Sequence, residues 1–163
     1  MSGSPGASVI FIDENGGGPG VRLREREGAM GEKLEWKEKY NTGNARIDLE
    51  HKVFIGLVQE FLDDAERGVS HDELIVLAHE ILKYANFHFY SEERTMSRIG
   101  YPEADRHKQL HKALIFELNS RITSLGSGAS CYIELANFLV KWFLDHTITE
   151  DAKLAASITG QER

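Results

Sequence analysis

Cysteine and proline are scarce in this sequence, and each scarcity is informative. The single cysteine, Cys131, excludes an internal disulfide and any metal site built from several cysteines. A chain without disulfides is typical of a reducing compartment, so we expect a cytoplasmic protein. Only three prolines occur among 163 residues, and long helices can therefore run uninterrupted.

Basic charge and long apolar runs are also lacking. There are 19 Lys and Arg residues against 26 Asp and Glu, which gives a formal net charge of −7. Such an acidic chain lacks the positive surface of a protein that binds nucleic acid or anionic lipid. No apolar run approaches the roughly 20 residues of a membrane helix, and the start lacks the pattern of a secretory signal. We expect no nucleic acid and no membrane among its partners.

Glycine is concentrated in residues 1–35, including the run at 16–18. Such a segment buries too little apolar surface to offset the entropy of ordering it, and we interpret it as a flexible N-terminal extension. Residues 7–13 could form one short strand, but no partner strand is evident. No Gly-Lys-Ser/Thr follows the glycines, which excludes a phosphate-binding loop.

Residues 36–163 show helical periodicity in four segments. Ser70 and Glu73 have the spacing of a capping box, while Gly68 and Gly100 mark the ends of the first and second segments. Four long amphipathic helices with short loops predict an all-α fold, an antiparallel up-down-up-down four-helix bundle. The segments cover about residues 45–67, 70–99, 103–125 and 130–157.

Histidines fall on the apolar faces of all four predicted helices. His88 lies four residues before Glu92, and His107 lies four residues before His111, so each pair shares one helix face. Five of the seven histidines would point into one core, namely His51, His88, His107, His111 and His146. The other two, His71 and His79, fall outside this pattern, and we interpret them as surface or structural residues.

A single buried histidine is more often a hydrogen-bonded core residue than a metal ligand. Five imidazoles in one core are different, because each unsatisfied buried group would cost about 1–3 kcal/mol. A bound metal is the simplest partner, since neutral imidazole and carboxylate oxygen are its common ligands. Zinc, manganese and cobalt accept these ligands as well as iron does, so the residues leave the metal open.

The sequence around these histidines resembles the hemerythrin family, in particular the bacterial hemerythrin-like proteins. The resemblance covers about residues 36–157 and implies a four-helix bundle with a non-haem di-iron centre that binds O₂. The stretches that carry it are NARIDLEH at 44–51, HFYSEERTM at 88–96, GYP at 100–102, HKQLH at 107–111 and WFLDHTITED at 142–151.

The resemblance also implies a role for each candidate ligand. One iron would be bound by three histidines, His107, His111 and His146. The other iron would be bound by two, His51 and His88. Two carboxylates would bridge the irons, Glu92 and Asp151. One coordination position would then stay open for O₂ on the iron with only two histidines.

The spacing from His146 to Asp151 does not suit an ideal α-helix. Five residues turn such a helix by about 140°, and Glu150, four residues after His146, would fit better by geometry alone. The family uses the fifth position, so we select Asp151. A locally widened helical turn is one explanation, and a reach of Asp151 across the centre as a bridge is another.

The resemblance further implies an apolar O₂ pocket beside the open iron. Ordinary core packing is an equally good interpretation of its aromatic residues. The family usually has a large apolar residue after the histidine of the fourth helix. Here that residue is Thr147, and we expect its hydroxyl to make autoxidation faster than in a Thr147→Ile variant. The residues that match the pocket are Phe54, Phe89, Trp142 and Phe143.

Reversible O₂ binding for transport, storage or supply is the function that the resemblance favours, without enzymatic activity. An O₂ or redox sensor module is an alternative, although these 163 residues contain no signalling domain. A peroxidase, a nitric-oxide scavenger or an iron-handling protein would use the same ligands. An oxygen-consuming or signalling protein is the macromolecular partner that we expect.

Overall fold

The computed structural model describes residues 7–12, 20–25 and 34–161. The α-helices are α1 (Ala45–Arg67), α2 (His71–Ile99), α3 (Ala104–Thr123), α4 (Ala129–His146) and α5 (Ala152–Gln161). A short 3₁₀ helix, Glu38–Tyr40, precedes α1. A π-helical segment, Thr147–Asp151, joins α4 to α5 without a break, so these two helices form one long rod.

The four helical rods form a closed ring. α1 packs against α2 and α4, and α3 also packs against α2 and α4. The connections between rods are only a few residues long, which forces sequence neighbours to be antiparallel. The predicted antiparallel up-down-up-down four-helix bundle is confirmed. No helix within the three described ranges is long and apolar enough to cross a membrane.

The helix ends follow the predicted capping signals. The Asn44 side chain accepts hydrogen bonds from two backbone amides in the first turn of α1. Ser70 and Glu73 cap α2 reciprocally, as their spacing predicts. Gly68 and Gly100 end α1 and α2 in the left-handed conformation, with φ of 75° and 62°, which glycine adopts without strain.

Two strands precede the bundle, β1 (Ala7–Ile12) and β2 (Gly20–Glu25), and they pair antiparallel with Ala7 opposite Glu25. The expectation that a strand near residues 7–13 has no partner was wrong. In β2, apolar and basic residues alternate, which is the pattern of a strand. The glycine-rich sequence beside this short segment makes the pattern hard to recognise. The glycine run at 16–18 lies outside the described residues, and the flexibility of the extension stays a prediction.

Buried apolar side chains form two clusters at different levels of the bundle. A layer of histidines and carboxylates lies between the two clusters on every rod. The larger cluster includes Phe54, Phe61, Ile81, Leu118 and Leu139. The smaller cluster consists of Ile47, Met96, Tyr101, Leu154, Ala155 and Ile158.

Candidate metal centre

The polar layer brings together all seven residues that the sequence predicts as ligands. Each of the four rods contributes at least one of these side chains from its inward face. All seven are buried, and the most exposed, His146, is only 7% exposed. The layer contains His51 from α1, His88 and Glu92 from α2, His107 and His111 from α3, His146 from α4 and Asp151 from the π-helical segment.

Three of the histidines converge on one point. The Nε2 atom of His146 lies 3.0 Å from Nε2 of His107 and 3.1 Å from Nε2 of His111. An octahedral ion with bonds of about 2.1 Å to imidazole separates adjacent ligand atoms by about 3.0 Å. The spacing of these three nitrogens is therefore that of ligands on one face of a metal ion.

The other two histidines form a second group on the opposite side of the carboxylates. The rings of His51 and His88 meet edge to face, with 4.8 Å between their centroids. Nε2 of His51 lies 3.1 Å from Oδ2 of Asp151. Nε2 of His88 lies 3.7 Å from Oε1 of Glu92. These two imidazoles and two carboxylates could hold a second ion.

Each carboxylate offers one oxygen to each histidine group. Oδ1 of Asp151 lies 3.1 Å from Nε2 of His146, whereas Oδ2 faces His51. Oε2 of Glu92 lies 3.3 Å from Nε2 of His111, whereas Oε1 faces His88. Glu92 and Asp151 thus stand where two bridging carboxylates between two metal ions would stand.

The π-helical segment explains how Asp151 reaches the layer. The Ala152 amide donates to the Thr147 carbonyl, five residues back, so one extra residue is accommodated in this turn. Asp151 therefore faces the same side as His146. Glu150 points away from the histidines and pairs with Arg106 and Lys153. Of the two explanations for this spacing, the widened turn is the one that the backbone shows.

Unsatisfied polar atoms concentrate in this layer. In the described part of the chain, the buried side-chain nitrogen and oxygen atoms without a hydrogen-bond partner belong to five of the ligand residues, with two exceptions, Trp142 Nε1 and Thr147 Oγ1. Buried groups of this kind are costly unless something binds them. Imidazole nitrogens and carboxylate oxygens are what a divalent or trivalent metal ion binds, so the residues present fit a pair of such ions. The five are His51, His88, Glu92, His107 and Asp151.

Burial sets the charge state of the layer. It lowers the pKa of His111 to about 2 and also lowers the pKa of His51, which keeps both imidazoles neutral. Burial and the adjacent Asp151 carboxylate raise the pKa of Glu92 well above its usual range. At Asp151 burial acts in the same direction, but the charge of His146 and the close approach of the His51, His107 and His146 nitrogens to the carboxylate outweigh it and hold the pKa well below the usual range.

Glu50 is a functional candidate that sequence reasoning missed. Its Oε2 lies 2.9 Å from Nδ1 of His88, and its Oε1 accepts hydrogen bonds from Ser91 Oγ and Arg46 Nε, each at 3.0 Å. A carboxylate in this place fixes the orientation of the imidazole and directs its Nε2 toward a metal. The only signal in the sequence is that Glu50 directly precedes His51.

Glu93 has the same role on the three-histidine side. Its Oε1 lies 3.1 Å from Nδ1 of His111. Unlike Glu50, which is held by several groups, the Glu93 side chain is 32% exposed. The sequence again places this carboxylate directly beside a ligand, because Glu93 follows Glu92.

The predicted pocket residues form a buried aromatic wall beside the layer. Phe143 meets His51 edge to face at 4.9 Å between centroids, and Phe54 stacks on Phe143 at 4.6 Å. Trp142 lies 5.6 Å from both Phe54 and Phe89. Thr147 is buried, as its place after His146 predicts. That this wall forms an O₂ pocket stays a prediction.

The remaining two histidines lie outside the layer, as expected. His71 begins α2, and its Nδ1 lies 2.9 Å from the Tyr132 hydroxyl of α4. His79 is exposed, and its Nδ1 lies 2.9 Å from the Ile75 carbonyl in the preceding turn.

The fold and the site together define a four-helix protein with a cation-binding centre of five histidines and two carboxylates. The description "Hemerythrin HHE cation binding domain" belongs to the family model that matches residues 42–158, which include all seven. The chain therefore belongs to the hemerythrin family.

Curated relatives carry the name "Bacteriohemerythrin". The chain is 31% identical over 123 residues to the one from Campylobacter jejuni serotype O:23/36, covering 74% of this chain and 92% of the relative. It is 29% identical over 119 residues to the one from Pseudomonas paraeruginosa, covering 73% and 77%. It is 29% identical over 121 residues to the one from Clostridium acetobutylicum, covering 71% and 94%.

Proposed function

We propose that this protein holds two iron ions in its polar layer and binds O₂ reversibly there. The observation that carries the proposal is that each carboxylate directs one oxygen toward each of the two histidine groups. Oxygens of Asp151 lie 3.1 Å from His146 on one side and 3.1 Å from His51 on the other. One carboxylate oxygen for each ion is what a bridged pair requires. Membership of the hemerythrin family supports iron as the metal and O₂ as the ligand, as the resemblance implies.

The two histidine groups differ by one ligand, which supports binding of an exogenous molecule on one side only. Three imidazoles and two carboxylate oxygens serve the first position, whereas two imidazoles and two carboxylate oxygens serve the second. The second position lies beside His51, against which Phe143 packs. When bound, the iron pair supplies the electrons for O₂ binding.

The contribution of the chain is to orient the ligands and to exclude water. Glu50 holds His88 by its Nδ1, while Phe54 and Phe143 cover the same side with apolar surface. Two carboxylates put less negative charge on the ions than the four of ferritin-like di-iron bundles. Less charge favours reversible binding over strongly oxidising chemistry, so we propose binding without turnover.

A metal count combined with absorption spectra tests the proposal. We expect two irons per chain, charge-transfer bands that bleach on anaerobic reduction, and a new visible band on exposure to air. The band should disappear again when O₂ is removed. Failure to bind iron after anaerobic reconstitution, or oxidation in air without an O₂-dependent band that reverses, would overturn the proposal.

A matched pair of histidine variants makes the test specific to the layer. In His88→Asn the second position loses one of its two imidazoles, and we expect fewer than two irons per chain and no O₂ band. In His79→Asn the same change is made on the same helix at an exposed position. This control should keep two irons and the full O₂ band.

A further inference from the structure

An open groove of about 590 Å³ lies between α2 and α3, on the outside of the bundle. Its walls come from successive turns of both helices, and their largest side chains are aromatic. Phe116 is 78% exposed and Tyr90 is 69% exposed, although most aromatic residues of the bundle are buried. The polar part of the lining includes two amides, Asn86 and Asn119, the cationic Lys112 and the carboxylate of Glu93.

The groove leads directly to the polar layer, because His111 is part of its lining. The ring of Phe89 stacks on the imidazole of His111, with 3.8 Å between centroids and 9° between planes. Glu93, which holds Nδ1 of His111 at 3.1 Å, lines the groove as well. A molecule bound here would contact the outer edge of a candidate metal ligand without entering the bundle.

We propose that this groove binds a reduced flavin, which delivers electrons to the metal pair through the His111 edge. The proposal rests on the proposed function, because an iron pair that has been oxidised must be reduced before it binds O₂ again.

The lining matches the chemistry of a flavin nucleotide. A planar tricyclic ring stacks on exposed aromatic side chains, here Tyr90 and Phe116. Its carbonyl and N–H edge suits the amides of Asn86 and Asn119, and a phosphate tail suits Lys112. The volume lies within the range of small-molecule sites. The lining holds one cation, Lys112, and one carboxylate, Glu93, and Glu93 is engaged with Nδ1 of His111, so the Lys112 ammonium group is the one that a phosphate would contact.

The redox step balances without a further reactant. A reduced flavin loses two electrons and two protons and becomes the oxidised flavin. One electron converts each iron from the ferric to the ferrous state. The two protons leave to solvent through the open side of the groove, where Glu93 is partly exposed.

Binding can be measured without any metal. Flavin mononucleotide is titrated into the metal-free protein, and quenching of flavin fluorescence reports stacking on aromatic rings. We expect saturable binding that becomes about tenfold weaker in Phe116→Ser and in Tyr90→Ser. Both side chains are exposed, so neither change opens a cavity in the core. Phe87→Ser is the matched control, because Phe87 is an exposed aromatic of α2 outside the groove lining and this variant should bind like the wild type.

Reduction is measured on the iron-loaded protein by anaerobic stopped flow, with photoreduced flavin mononucleotide and with dithionite in parallel. In Phe116→Ser the rate of iron reduction by flavin, divided by the rate of reduction by dithionite, should fall about tenfold. In Phe87→Ser this ratio should not change.

Absence of saturable flavin binding, or an equal loss of flavin binding in all three variants, overturns the proposal. Self-association abolished by Phe116→Ser, together with no flavin binding, would assign the groove to a second copy of the chain instead. If the protein binds flavin but takes up no iron after anaerobic reconstitution, the proposed function is overturned and only the flavin site remains.

Discussion

Asp151 lies five residues after His146, and its Oδ1 is nevertheless only 3.1 Å from the Nε2 atom of that histidine. The π-helical segment Thr147–Asp151 makes this contact possible, because its widened turn returns the fifth residue to the starting face. Glu150, which an α-helical turn would place there, pairs with Arg106 instead.

The contrast between these two neighbouring carboxylates gives a first prediction. Asp151→Asn keeps the shape of the side chain but replaces one bridging oxygen by an NH₂ group, which cannot bind a metal. We expect less than half of the wild-type metal content by elemental analysis. Glu150→Gln, made one residue away, should keep two metals per chain. Equal metal contents in the two variants would contradict the bridging position of Asp151.

A second prediction concerns Glu50, whose Oε2 lies 2.9 Å from Nδ1 of His88. Glu50→Gln retains an oxygen of similar position but removes the negative charge that strengthens His88 as a ligand. Loss of a carboxylate in this place typically lowers metal affinity by about 10–100-fold. Metal transfer to a chelator should therefore be at least about tenfold faster than in the wild type. Glu60→Gln, on the exposed side of α1, is the control and should leave the transfer rate unchanged.

The unpartnered hydroxyl of Thr147 gives a third prediction. Thr147 is 1% exposed, and its Oγ1 has no hydrogen-bond partner. Thr147→Val replaces the hydroxyl by a methyl group of similar size. We expect the free energy of unfolding of the metal-free protein to rise by about 1 kcal/mol in chemical denaturation. In the iron-loaded protein the O₂ band should decay more slowly than in the wild type. Faster decay in the variant would contradict the expected effect of the hydroxyl.

Acidification of the metal-free protein gives a fourth prediction. The pKa of His111 is lowered to about 2 by burial, whereas an unfolded histidine has a pKa of about 6.5. Below pH 6.5 the unfolded chain therefore takes up a proton that the folded chain does not, and stability falls. From pH 6.5 to 5.5 His111 alone should lower the free energy of unfolding by about 1 kcal/mol. His51 acts in the same direction, and Glu92, whose pKa is raised, acts in the opposite direction.

The contribution of His111 is isolated by comparing urea unfolding of the metal-free wild type and His111→Gln at both pH values. The variant should lose about 1 kcal/mol less than the wild type over this interval. An equivalent change at the exposed His79 should leave the pH dependence of the wild type intact. An identical pH dependence in His111→Gln and the wild type would contradict the prediction.

Local signals in the sequence predict most of the helix ends. The capping box of Ser70 and Glu73 and the glycines at 68 and 100 act within one or two turns, so they place α1 and α2 without knowledge of the rest of the fold. The five histidines and Glu92 are also foreseeable, because helical spacing and the apolar neighbours of each histidine determine the face on which it lies. The resemblance to a family then selects Asp151 over Glu150.

The outer carboxylates could not be predicted in this way. Glu50 contacts His88, 38 residues away on another helix, and Glu93 contacts His111, 18 residues away. Such contacts depend on the rotation of one helix against its neighbour, which spacing within a single helix does not contain. The strand β2 was missed for a related reason, since its partner lies across a run of glycines.

The position of the polar layer between two apolar clusters has a consequence for cooperativity. The histidines and carboxylates lie between the smaller cluster, around Met96 and Leu154, and the larger one. Without metal, many polar atoms of this boundary have no hydrogen-bond partner, so it joins the two clusters weakly. Two bound ions would connect all four rods at this level and join both clusters into one unfolding unit. Metal release therefore frees one end of the bundle first, so α5 and the last turns of α2 should exchange their amide hydrogens ahead of the rest.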